Sequence, residues 1–197
     1  MVRFSYIRKR GFTLAELMIV VAVISLLVGI GFFSLARTVR RTRLKSSVME
    51  LKSDLLYLRT QAYAKSEERG IHRANSETYT FVKIVFDSAT GDYDTSLYNP
   101  HKLPRGISFG GIYPTDMPIG GIDSTVLPVS GFYGVKGASG KADDYVVFST
   151  IGTLKNYDSQ YIYIHSKLIN EMWGLKVDKF GRVTTYKFEE GGWREIK

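Results

Sequence analysis

The sequence predicts an α+β fold: a long N-terminal α-helix whose first half is transmembrane and whose second half packs on an antiparallel β-sheet domain. Three observations carry this. Residues 17–36, LMIVVAVISLLVGIGFFSLA, are 20 consecutive positions without a charge. Leu44, Val48, Leu51, Leu55, Leu58 and Ala62 then step by 4, 3, 4, 3, 4, which traces one face of an α-helix. Beyond Gly70 the apolar period shortens to that of a strand, beginning with TYTFVKIVFD at residues 78–87, a run rich in β-branched and aromatic side chains.

The uncharged run sets the first element. At about 1.5 Å of rise per residue it spans roughly 30 Å, the thickness of bilayer hydrocarbon. A helix is the single-segment structure that satisfies its own backbone polar groups there. Residues 12–36 are therefore expected to form a membrane segment. A plain signal anchor and a cleaved secretory signal peptide are the simpler alternatives, although a signal-peptide core is usually about 7–15 residues. Residues 37–69 are expected to continue the helix amphipathically, with Gly70 in a C-terminal cap position. A helix from residue 12 to about 69 would be roughly 87 Å long. Arg37, Arg40, Arg41, Arg43 and Lys45 suit either anionic lipid headgroups or a solvated helix face.

Residues 70–197 read as a β-rich globular domain. SATGD after residue 87 makes a turn, with residues 93–98 as the partner strand. Further strands are expected near residues 106–112, 145–149, 161–165, 173–178 and 182–188. The last two flank KFG, a tight hairpin turn. All five prolines fall between Pro100 and Pro128, and nine of the 19 glycines between Gly106 and Gly140. Residues 100–140 are thus expected to be a long irregular loop with at most short edge strands, a place where recognition or a variable insertion resides.

Composition narrows the function. The chain of 197 residues has no cysteine, which excludes a disulfide framework, a thiolate metal site and a cysteine nucleophile. The net charge of +8 is unevenly placed. Residues 1–11 carry four basic residues and no acid, residues 37–69 carry nine basic and four acidic, and residues 70–197 carry fourteen of each. The basic excess brackets the apolar run, so no nucleic-acid face is expected on the neutral β domain. His72, His101 and His165 lack metal-ligand spacing. Asp92, Asp94, Asp143 and Asp144 match no calcium loop and read as turn formers. No nucleophile elbow, phosphate loop or dinucleotide fingerprint occurs. No enzyme activity, cofactor, metal or small-molecule substrate is expected.

One residue interrupts the apolar start of the helix. Glu16 is the sole charge between Phe12 and Ala36, and an acid in lipid costs up to about 3 kcal/mol at mid-depth, less towards the interface. Such a residue is a functional candidate with a partner to be found. Its setting is a basic leader, MVRFSYIRKR, then Gly11, Phe12, Thr13, Leu14 and Glu16, then the apolar run. This pattern resembles the type IV pilin and type II secretion pseudopilin superfamily. The resemblance implies cleavage after Gly11 by a prepilin peptidase and N-methylation of the new Phe12 amine. It also implies that Glu16 pairs with that amine on a neighbouring subunit and so sets register. Opposite charges attract strongly in low dielectric and relieve each other's desolvation. Many members have a proline where this chain has Phe33, and no proline lies in this helix. Gly29 and Gly31 could loosen it instead, at roughly 1 kcal/mol each.

Within the superfamily, VVFSTIGTL followed by WGLKVDKFGRVTTY resembles the H-type minor pseudopilins and related minor pilins. That implies a structural subunit of a type II secretion pseudopilus, with a minor pilin of a type IV pilus (priming, adhesion or DNA uptake) as the alternative and a plain membrane-tethered protein as a third. The implied partners are other pilin or pseudopilin subunits, the prepilin peptidase and the membrane. Basic residues stand on both sides of the span, so charge bias alone does not orient it. The resemblance places the leader in the cytoplasm. The protein would cross the bacterial inner membrane once, with the globular domain outside the cytoplasm, before joining the fibre.

Overall fold

The computed structural model describes residues 12–87, 92–110, 132–136, 139–142, 144–189 and 192–196. It divides into two compact units, Met1–Val39 and Arg40–Lys197. One helix, α1, Leu14–Lys65, contributes to both. In the first unit the side chains of residues 12–29 are all exposed.

In the second unit the expected stripe is the centre of the core. Leu44, Val48, Leu51, Leu55, Leu58 and Ala62 have 0 % exposure. The helix ends at Lys65, four residues before the expected end, for a local reason. Ser66 adopts φ 51°, its N–H reaches the Tyr63 carbonyl at 3.4 Å and the Glu67 N–H reaches that of Ala62 at 3.2 Å. This is a Schellman motif with serine in the left-handed position where glycine is usual. Gly70 is accordingly no cap. It lies within β1, Glu68–Arg73, where a Cβ would stand 1.9 Å from the Val146 carbonyl oxygen. Close backbone approach to the neighbouring strand, rather than helix termination, demands glycine there.

Two antiparallel sheets follow. The first has the order β3-β2-β1-β7, with β2 at Thr78–Asp87, β3 at Asp92–Lys102 and β7 at Tyr145–Phe148. Pro100 lies within β3 at the sheet's edge. The register shifts between Tyr79 and Phe81, so Asn99 and Pro100 bulge out of the ladder where the missing N–H costs nothing. The second sheet has the order β11-β10-β9-β8-β5-β6, with β4 also on β8. Its strands are β4 Ser108–Phe109, β5 Phe132–Lys136, β6 Ser139–Ala142, β8 Ser159–Ser166, β9 Glu171–Asp178, β10 Val183–Glu189 and β11 Gly192–Ile196. One cluster of buried side chains from α1 and both sheets forms the main core.

The expected irregular loop at residues 100–140 is therefore corrected in part. Residues 111–131 lie outside the described residues. At its end, β5 is no edge strand: it pairs with β8 on one side and β6 on the other, and Phe132 is fully buried.

Polar ties fix the helix to the sheets. The Tyr79 hydroxyl donates to Asp54 Oδ2 at 2.5 Å, and burial, with Asp54 second, raises the phenol's pKa. Arg59 does more. Its Nε donates to the Gly152 carbonyl at 3.0 Å and its Nη2 to the Phe180 carbonyl at 2.9 Å. One planar guanidinium thus holds both the IGT turn and the KFG hairpin turn between β9 and β10. The same turns meet directly, the Leu154 N–H donating to the Lys179 carbonyl at 3.0 Å. Within the hairpin, Asp178 Oδ1 accepts the N–H groups of Phe180 and Arg182 at 3.0 and 2.9 Å.

Two expectations follow. Leu51→Ala should destabilise the second unit by about 2–5 kcal/mol in denaturant unfolding of the detergent-solubilised chain, while exposed Lys45→Ala should stay within about 0.5 kcal/mol. Arg59→Ala removes two charge-assisted bonds to carbonyls and should cost about 2 kcal/mol in the same measurement. Arg59→Lys should recover only part of this, because an ammonium lacks the fork that reaches both turns.

Candidate assembly site at the start of the helix

The start of α1 is organised by two residues. The Thr13 carbonyl accepts the Leu17 N–H at 3.2 Å, opening the helical ladder. Thr13 Oγ1 accepts the Glu16 N–H at 3.2 Å. In return Glu16 Oε2 accepts the Thr13 N–H at 2.8 Å and its hydroxyl at 2.9 Å. This is a capping box, T-x-x-E, which satisfies N-terminal N–H groups that have no partner further back. The acid also lies at the positive end of the helix dipole. The T-x-x-E spacing of Thr13 and Glu16 is present in the sequence and is the signal that marks this cap.

The geometry leaves half of the carboxylate open. Both bonds fall on Oε2, and among the described residues Oε1 accepts none. Phe12 is 85 % exposed, and no described bond joins it to Glu16 of the same chain. Gly11 lies outside the described residues, so the expected cleavage site is seen from its Phe12 side alone.

Behind the box the helix offers an apolar surface on every side. Leu14, Leu17, Met18, Ile19, Val20, Val21, Val23, Ile24, Leu26, Leu27 and Val28 are all at least half exposed. Ser25, the polar side chain among them, returns its hydroxyl to the Val21 carbonyl at 2.8 Å. Among the described residues no helix is long and apolar enough to cross a membrane. The apolar sequence continues through residues 30–34, whose side chains are not among those described. An exposed surface of this kind on a water-facing monomer would be unusual, and it marks a site of lipid or protein contact.

Elsewhere the described residues hold no group of three or more metal-ligating side chains. Asp144 is the ion-pair partner of Arg73, and Asp143 lies outside the described residues. His165 is buried with Nδ1 2.9 Å from the Gly110 carbonyl oxygen. Burial lowers its pKa and that of His72, keeping both neutral. His101 stacks between Tyr79 and Phe81, with ring centroids 5.1 and 4.9 Å away. The three histidines are thus dispersed in packing roles.

Residues 7–32 match the family described as the prokaryotic N-terminal methylation motif. A comparison with curated proteins gives no match. Among solved structures, the chain is similar to the minor pseudopilin EpsH of the type 2 secretion system of Vibrio cholerae. The two structures of that protein give 14 % and 13 % identity, each with a TM-score of 0.46 and coverage of 73 % of this chain and 95 % of the other. It is also similar to the type IV minor pilin FimU of Pseudomonas aeruginosa, at 16 % identity and a TM-score of 0.46, over 80 % of this chain and 96 % of the other. The chain thus carries the prokaryotic N-terminal methylation motif over residues 7–32, and the described part of that motif opens on the Thr13–Glu16 capping box.

Proposed function

We propose that the protein is a minor pseudopilin or minor pilin, a structural subunit held in the bacterial inner membrane and then drawn into a helical fibre. One observation carries the reading: an exposed apolar start to the helix whose sole charge over residues 12–36, Glu16, keeps one carboxylate oxygen on its own cap while the other accepts no bond among the described residues. In this reading prepilin peptidase cuts after Gly11, leaving residues 12–197. Before cutting, Phe12 has only an amide N–H. Afterwards it has an ammonium, methylated as the motif's name indicates.

The free oxygen of Glu16 then has a partner to accept from. A carboxylate has about four acceptor sites, so two bonds from Thr13 leave room for an ammonium from a neighbouring subunit. Pairing in a dry fibre core would gain more than in water, and each charge would remove the other's desolvation cost. The exposed apolar surface of residues 12–29 serves lipid before assembly and neighbouring helices after it. The type II secretion pseudopilus is our assignment for the fibre, supported by the loose likeness of VVFSTIGTL and WGLKVDKFGRVTTY to H-type minor pseudopilins. A minor pilin of a type IV pilus is the neighbouring reading and shares every step above. The role is structural, with no catalytic step.

Intact-mass measurement of the native protein, with N-terminal sequencing, should give a chain that begins at Phe12 and carries an added methyl group. A chain that retains residues 1–11 would end the proposal. Glu16→Ala should leave leader cleavage largely intact but reduce incorporation into fibres, measured by immunoblot of sheared fibres. Glu16→Gln separates cap from charge, because glutamine sustains a capping box without offering an ion pair. It should assemble as poorly as Glu16→Ala. Assembly of Glu16→Gln at the wild-type level would reduce the acid to a helix cap.

A further inference from the structure

A groove in the second unit gathers three cations. It has a volume of about 340 Å³ and is lined by Arg40, Arg43, Arg105, Ile107, Ser166 and Leu168. Arg40 and Arg43 are three residues apart on α1 and so share a helix face. Arg105 comes from elsewhere, the turn that follows β3. Gly106 holds that turn with φ 83°, and a Cβ there would stand 2.6 Å from Leu168 Cδ1. The turn is thereby seated against the far wall of the groove, bringing Arg105 towards the helix arginines.

Among the described residues none of these three arginines is paired with a carboxylate. The neighbouring Arg41 is, with Glu171. Lys167, between Ser166 and Leu168, adds a further exposed cation. Three guanidinium groups around one groove repel one another unless an anion joins them. Their planar forks fit phosphate oxygens in pairs of bonds. The walls add apolar surface: Ile107 is buried and Leu168 is 56 % exposed. Position supplies the source of the phosphate. Arg40 and Arg43 follow Ala36, the end of the uncharged run, by four and seven residues.

We infer that the Arg40–Arg43–Arg105 groove is a phosphate site that takes the headgroup of an anionic phospholipid. The inference rests on the reading of residues 12–36 as a membrane segment. It differs from the general attraction of a basic segment to a charged surface, because it requires Arg105, some sixty residues away in sequence.

The full-length chain in non-ionic detergent, titrated with phosphatidylglycerol and read by native mass spectrometry, tests this. We expect one phosphatidylglycerol to be retained at saturation, with phosphatidylcholine retained much less. Arg105→Gln should weaken retention about tenfold, as loss of one guanidinium–phosphate contact would. Arg40→Gln should do the same, while Arg37→Gln, outside the groove, should change it less than about twofold. Circular dichroism of each variant checks that the fold persists. Retention unaffected by both groove substitutions, or equal retention of phosphatidylcholine, overturns the site. Preferential binding of inorganic phosphate overturns the lipid assignment. Leader processing is read by mass and independently, so an uncut chain that still binds phosphatidylglycerol through Arg105 would sink the fibre reading and leave this one standing.

Discussion

Six side chains on one helix face, Leu44, Val48, Leu51, Leu55, Leu58 and Ala62, have no exposed surface, and both sheets are arranged to keep them dry. Each of the four leucines removed from water contributes about 1.5–3 kcal/mol, against a net stability of about 5–15 kcal/mol for a typical domain. The helix is therefore the structural centre of the second unit rather than an appendage to it. Ile71, Phe81 and Phe148 from the first sheet and Ile162, Leu175 and Val177 from the second belong to the same cluster. Polar contacts then fix the helix's position along its own axis, since an apolar stripe alone is tolerant of sliding. Asp54 with Tyr79 does this on one sheet, and Arg59 with the two turns does it beside the other.

The helix changes character along its length. Past residue 40 its fully buried apolar residues form a stripe, and its other faces are largely polar and charged, with Leu56, Tyr57 and Tyr63 exposed among them. In residues 12–29 apolar side chains occupy every face and all are exposed. A stripe can be buried by one domain, whereas an apolar cylinder needs surroundings on all sides. Lipid tails and other helices of the same kind both supply that. The family motif over residues 7–32 includes residues 12–29, and on the proposed reading the passage of this cylinder from lipid to fibre core exchanges one apolar surrounding for another.

What the sequence disclosed divides along physical lines. The stripe and β2 were legible because burial on one side imposes a period, and Thr78–Asp87 falls on the expected bounds. β1 was not. Its sequence ERGIHR has three charges and one aliphatic, and Gly70 resembled a helix cap. The requirement for glycine comes from Val146 of a strand far along the chain, which no local window contains. β5 and β6 failed similarly, because FYGVK and SGKA sit among glycines and take their strand character from pairing with β8 and with each other. β11 begins on the second glycine of a Gly-Gly pair and gives no strand signal of its own. The Schellman end at Ser66 had no glycine to announce it. Arg59 could not be singled out among the other basic residues, since its value lies in two carbonyls at residues 152 and 180.

Glu16 is legible in the sequence as a residue with a partner to find, and the structure adds its cap with Thr13. A lone carboxylate in hydrocarbon would shed its charge or leave, because isolated burial of an ion is too costly. Thr13 alters that. Its N–H and hydroxyl give Oε2 two donors, and the helix's positive end adds a favourable field. These local terms do not neutralise the charge, but they lower the cost of keeping it at the mouth of an apolar helix. On the proposed reading, this lets the subunit wait in the membrane with its acid held on the cap, while Oε1, which accepts no bond among the described residues, is left for a partner. The neighbour's ammonium meets that oxygen without breaking the cap, so the pair can form with little rearrangement of the first turn. A cap that had to open would set the cost of losing two hydrogen bonds, about 1 kcal/mol each, against every contact made. On the proposed reading, this division of labour between the two carboxylate oxygens is what would fit the same residue both for storage and for assembly.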